Sequence, residues 1–157
     1  MSIVVFGSIN MDIITYVPRL PAPGETLFGH SYVTAPGGKG SNQAGAAGKL
    51  GNPTAFIGRI GKDAFGPEVC GILAAQGADV SGLMVDEAHG TGIAVISVDD
   101  RAENCIIVIS GANMAIDETD VQRALPYLDR AKVLLLQMEV PLEANISVAK
   151  AARTRGV

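Results

Sequence analysis

The chain has 157 residues, 48% of them hydrophobic, and a formal net charge of -4. That length suffices for one domain with a buried core, and the apolar fraction excludes general disorder. The acidic balance, with no basic face or arginine-rich run, argues against a nucleic-acid partner, and no apolar run approaches a membrane span.

Ile3 to Phe6 is a β-branched and aromatic run ended by Gly7, which predicts a buried strand. Ile13 to Val17 is a second extended run, closed by Pro18. Pro21, Pro23 and Gly24 mark a turn-rich connection, after which Leu27 to Ala35 reads as a returning strand. Gly37 and Gly38 then precede a small-residue helix from Gly40 to Leu50, stopped by Gly51. Thr54 to Ile60 is the next strand. Asp63 is the expected cap of a helix from Ala64 to Gln76, with Pro67 in its first turn, and Ser81 to Val85 follows as a short strand. The apolar runs Thr91 to Val98 and Asn104 to Ile109 flank a polar turn and predict a hairpin. Asp117 is placed to cap a helix from Glu118 to Tyr127. Lys132 to Gln137 has the length of a buried parallel strand, and Pro141 opens a last helix running to about Arg155.

Strands alternating with helices predict an α/β fold built on a parallel sheet. The stretches at about 11–36 and 91–111 break that rhythm and read as β excursions from a body formed by about 1–10, 37–90 and 112–157. The chain ends with Gly156-Val157 where the rhythm demands a further strand, so it is expected to be cut short.

The chemistry concentrates at two glycines followed by Lys39, Gly40, Ser41 and Asn42 at a helix start. Glycines allow close backbone approach, and a helix N-terminus seats oxygen-rich ligands. Asn10 and Asp12 add an amide and a carboxylate, expected to need a bend in the chain before they share one pocket. Together these residues read as a pocket for a polyol, most readily a sugar. No Walker A frame can be drawn through the loop, which removes support for a nucleotide site there. Glu139 follows an apolar strand at the end where open α/β sheets bind ligands, although a glutamate before Pro141 could equally serve the helix dipole. Lys39 could meet a hydroxyl, meet phosphate charge, or neutralise nearby carboxylates. His30 and His89 lack partners for base or metal chemistry and read as polar surface residues; no metal site is expected. Cys70 and Cys105, far apart and without ligand spacing, read as reduced thiols, and without a signal segment the expected location is the cytoplasm.

Gly-Ser-Ile-Asn-x-Asp at 7–12, Pro23-Gly24-Glu25-Thr26 and Gly37-Gly38-Lys39-Gly40-Ser41-Asn42-Gln43-Ala44 resemble the ribokinases of the PfkB carbohydrate kinase family. The likeness continues through residues 57–66, Thr91-Gly92-Ile93-Ala94, Gly111-Ala112-Asn113 and Leu136-Gln137-Met138-Glu139, in order along the whole chain. It implies a ribokinase-like fold: a mostly parallel three-layer αβα core with a small β lid, truncated before the ATP-binding half. It implies that Asn10, Asp12, Gly37, Gly38, Asn42 and Glu139 hold the sugar, with Lys39 nearby. Ala94 and Ile96 would pack on the sugar's apolar side, a plain core role being the alternative for both. The resemblance also implies ATP and Mg²⁺ (and a monovalent cation) for the complete enzyme, none of them bound tightly by this chain. A homodimer through the lid is implied as well. The family's Gly-Ala-Gly-Asp motif, which carries its catalytic aspartate, is absent, so catalysis by this chain alone is not expected. The competing expectations are a non-catalytic sugar-binding or lid-dimerisation module, and a nucleoside or fructose-phosphate kinase half of the same superfamily.

Overall fold

The computed structural model describes residues 2–157. The first strand, β1 (Ile3–Phe6), is short, apolar and almost entirely buried, as a central parallel strand must be. It pairs in parallel with β4 (Thr54–Gly61) on one side and with β8 (Val133–Leu135) on the other. β5 (Ala78–Asp86) completes the order β5-β4-β1-β8. Helices α1 (Lys39–Lys49) and α2 (Phe65–Ala75) cover one face of this sheet, with Val5, Phe56, Val69 and Leu73 in the core between them. On the opposite face α3 (Glu118–Leu128) and α4 (Leu142–Arg153) bury Phe6, Ile57, Leu128 and Val148. Three layers result, each large apolar side chain contributing about 1.5–3 kcal/mol by leaving water.

A second sheet lies apart from the first. Its strands are β2 (Asn10–Val17), β3 (Ser31–Gly37), β6 (Gly92–Asp99) and β7 (Asn104–Ile109), in the order β3-β2-β6-β7. β2 runs antiparallel to β3 and parallel to β6, and β6 is antiparallel to β7. Both β excursions therefore join one sheet. Its roots are fixed to the body at two places. At one, Gly38 adopts φ 88 and presses against the backbone of Ser8, Ile9 and Asn10, an approach only glycine permits. At the other, Asp63 accepts hydrogen bonds from the Thr91 N–H (2.7 Å) and Oγ1 (2.8 Å), while Thr91 Oγ1 accepts one from the Gly61 N–H.

Several element ends differ from the sequence expectation. The returning strand is Ser31–Gly37, not Leu27 to Ala35. Its register with β2 runs from Tyr16↔Ser31 to Asn10↔Gly37, and Phe28 is left exposed outside it. β8 spans only the three residues that meet β1, while β5 is longer than expected and passes a bulge against β4. Asp63 does accept from the Phe65 and Gly66 N–H groups, yet Ala64 is the N-cap residue of α2. Asp117 caps α3 in a full capping box with Asp120.

Candidate functional site

The carboxyl end of β1 runs into Gly7-Ser8-Ile9 and directly into β2, so body and second sheet meet there. Two further segments arrive at the same place: the Gly37-Gly38 link into α1, and the Gln137-Met138-Glu139 stretch beyond β8. Gln137 anchors the latter. Its side-chain N–H donates to Gln43 Oε1 on α1 (2.8 Å), and its carbonyl accepts from Asn145 Nδ2 on α4 (2.6 Å).

Glu139 is held firmly. Oε2 accepts from the Ser8 hydroxyl (2.7 Å) and from the Lys39 backbone N–H (2.9 Å), and Oε1 pairs with the Lys39 ammonium. Ser8 Oγ in turn accepts from the Gly40 N–H (3.2 Å), and Ser8 O accepts from the Ser41 N–H. The first-turn N–H groups of α1 are thus committed to Ser8 and Glu139. The sequence marks this helix N-terminus as a seat for an oxygen-rich ligand; in the structure the chain's own carboxylate meets it, which the helix dipole favours. Burial works to raise the Glu139 pKa, but the Lys39 ammonium and N–H and then the Ser8 hydroxyl outweigh it, leaving it below the usual value. Asp12 moves the other way. Burial, and next the negative charge of Glu139, hold its carboxyl above the ordinary range.

Asn10 and Asp12 share one face of β2 without any bend, because residues two apart in a strand point the same way. The expected need for a bend is therefore withdrawn. Asn10 is buried and its Oδ1 accepts from Asn113 Nδ2 (2.7 Å); Asn113 also bonds both backbone groups of Ile9. Asp12 lies directly over Gly37, where a Cβ would stand 2.0 Å from its Oδ1.

A cavity of about 160 Å³ opens at this junction. Ser8, Asn10, Asn113 and Glu139 supply its polar lining, and Val108, Met114 and Met138 supply apolar walls. Of the residues singled out in the sequence, Asn10 and Glu139 line it. Lys39 reaches it through Glu139, and Asp12, Gly37 and Gly38 adjoin it. Asn42 sits further along α1 with its side chain exposed. Ala94 pairs with Asp12 across the second sheet, and Ile96 pairs with Ile14 one step farther away, so neither lines the cavity. Ser8 and Asn113 are the site residues that sequence reasoning missed. Both stood inside quoted motifs, and an oxygen or amide after a strand end was the available signal. His30 pairs with Asp100 and His89 with Asp86, both at the surface and away from the site. Among the described residues, no group of three or more His, Cys, Asp or Glu could hold a metal ion, and no helix is long and apolar enough to cross a membrane.

The chain is similar to known proteins along its whole length. A ribokinase of Haemophilus influenzae is 39% identical over 99% of this chain and 51% of its own length. A ribokinase of Arabidopsis thaliana is 40% identical over 99% of this chain and 42% of its own. The solved Arabidopsis thaliana ribokinase, described as complexed with ribose and ATP, superposes with TM-score 0.87 at 37% identity, covering 99% of this chain and 51% of that one. The chain spans about half the length of the relatives it matches, and within that half the α/β body is ribokinase-like. The family described as "pfkB family carbohydrate kinase" matches residues 1–157. That match spans the whole chain, and the chain belongs to the pfkB family of carbohydrate kinases.

Proposed function

We propose that the complete protein transfers the γ-phosphoryl group of ATP, with Mg²⁺, to the primary hydroxyl of ribose or a close relative, and that this chain supplies the sugar-holding part. The observation that carries the reading is the convergence of Asn10, Asp12, Lys39 and Glu139 where the body meets the second sheet. Gly-Ala-Gly-Asp is absent from this sequence, and among the described residues no group of three or more His, Cys, Asp or Glu could hold a metal ion, so no step through ATP or Mg²⁺ is assigned to them.

On this reading Asp12 and Glu139 accept hydrogen bonds from sugar hydroxyls. Asn10, fixed by Asn113, presents its amide beside them, Asn42 approaches from α1, and the Gly37-Gly38 link brings backbone close. The second sheet acts as a lid whose face bearing Asp12, Ala94 and Ile96 turns toward the sugar; its closure excludes water, which otherwise competes as phosphoryl acceptor. The nucleoside and fructose-phosphate alternatives have no specific feature in their favour. The same sheet is exposed and apolar along β7, from Ile106 to Ile109, which supports pairing of two copies through the lid.

The test is a coupled assay on the full-length protein with ATP, Mg²⁺ and ribose, deoxyribose or fructose in turn. Ribose should be the best acceptor, Glu139→Gln should lower kcat/KM by about a hundredfold or more, and the 157-residue chain alone should turn nothing over. Equal turnover by Glu139→Gln would remove the basis of the reading. Sedimentation of the same preparation should show a dimer that Ile107→Asp dissolves; a monomer at every concentration would end the pairing proposal.

A further inference from the structure

A second, roomier cavity lies away from the junction of the two sheets. It measures about 600 Å³ and lies at the opposite end of the body, beneath the C-terminal half of α3, against the amino ends of β1, β4 and β5. Its size falls within the range of about 300–1,000 Å³ usual for small-molecule sites. Val4, Ala55, Pro53 and Pro126 give it apolar walls, and the Tyr127 ring closes one side.

The charged groups at its rim are unequal. Asp79 is exposed and engaged locally, its Oδ1 accepting from the Ser81 N–H (2.9 Å) and hydroxyl (2.6 Å), and that hydroxyl shares a hydrogen bond with the Tyr127 OH. Arg123 is tied to the fully buried Asp120 through Nη2, while its Nε is buried without a partner. Arg130 is exposed and makes no ion pair among the described residues. Of the two guanidinium groups at the rim, Arg123 is thus already paired with Asp120 and Arg130 is unpaired among the described residues, while the Asp79 carboxylate is engaged by Ser81. The C-terminal end of α3 offers no free N–H, so any attraction for an anion must come from these arginines.

We propose that this cavity binds a small organic anion, with an apolar body on the Val4–Ala55–Pro126 wall and a carboxylate or phosphate head at Arg130 and Arg123. This site goes beyond the sugar site and does not depend on it. Guanidinium groups suit such heads because they donate two parallel hydrogen bonds, and the apolar wall selects against inorganic anions.

The probes are benzoate and phenyl phosphate, with benzamide as the neutral match, titrated into the full-length protein and followed by methyl and aromatic NMR. Both anions should give saturable shifts centred on Ala55 and Tyr127. Benzamide should bind about tenfold more weakly, and Arg130→Gln should weaken the anions by about fivefold or more. Arg130 is the residue to change because its side chain makes no ion pair or hydrogen bond among the described residues; an unaltered melting temperature confirms that the fold survives. Ala55→Leu, which fills the cavity, should abolish the shifts. Absence of saturation, equal binding of benzamide, or an undiminished response in Arg130→Gln would each overturn the proposal.

Discussion

Ser8 shows how much a single hydroxyl can organise. It receives the Gly40 N–H and gives its own proton to Glu139, linking α1 to a carboxylate 131 positions away in sequence. Removing a hydrogen bond to a charged group costs about 1.5–3 kcal/mol. On the proposed reading, Ser8→Ala in the full-length protein should raise the KM for sugar by about ten- to a hundredfold while kcat changes little, because Glu139 loses its orientation and keeps its charge. Steady-state kinetics with sugar as the varied substrate would decide this; a fall in kcat at constant KM would contradict it. The glycine pair and Glu139 were legible in the sequence because they fall in a dense motif. Ser8 was not, because its meaning depends on a partner that no local window contains. The lining of the cavity by Val108 and Met138 was hidden for the same reason.

Helix and strand identities followed from local chemistry, but their ends often did not. Asp117 with Asp120 three positions on is a complete local signal, and the capping box is present in the structure. β3 and β8 have ends set by the register of a distant partner, so their apolar runs overstate or displace them. The hairpin between β6 and β7 was also foreseen, yet one detail of its turn was not. Asp99 Oδ1 gathers the Arg101 and Glu103 N–H groups, and Ala102 is forced to φ 63. An L-residue with a side chain pays about 1 kcal/mol or more for that conformation. Ala102→Gly should accordingly stabilise the protein by about 0.5–1 kcal/mol, less the entropy glycine adds to the unfolded chain. Urea unfolding would measure it, and a destabilised variant would show that the turn is not strained.

Across the whole molecule, the buried Arg59 ties the body to the root of the second sheet. Arg59 on β4 donates to Asp120 (2.8 Å), to Asp117 (2.8 Å) and to Asp86 (3.1 Å), and Asp86 also accepts from the backbone N–H groups of Ala88 and His89 just before β6 begins. Burial opposes ionisation of Asp86, but those N–H groups, His89 and Arg59 prevail and lower its pKa to about 2. Its unfolded value is near 3.8, so the stabilisation is complete above that pH and is lost as pH falls through about 2. Asp86→Asn should therefore lower stability at neutral pH and flatten its fall between pH about 4 and 2. Unfolding midpoints across that range, parallel in both proteins, would refute the assignment. The α/β rhythm was readable at this scale because it is a periodic property of the chain. That both β excursions share one sheet was implied by the family resemblance and not by the rhythm, since their strands pair across some eighty residues.

The grip on Glu139 has a final implication for how a sugar would be received. A hydroxyl arriving at that carboxylate meets oxygens already engaged by lysine and serine, so recognition is an exchange of partners and not a simple addition. The gain from each such exchange is small, because bonds are lost as others form. A holder of this kind distinguishes guests by geometry, holds them lightly, and releases a modified one without having to break a deep well.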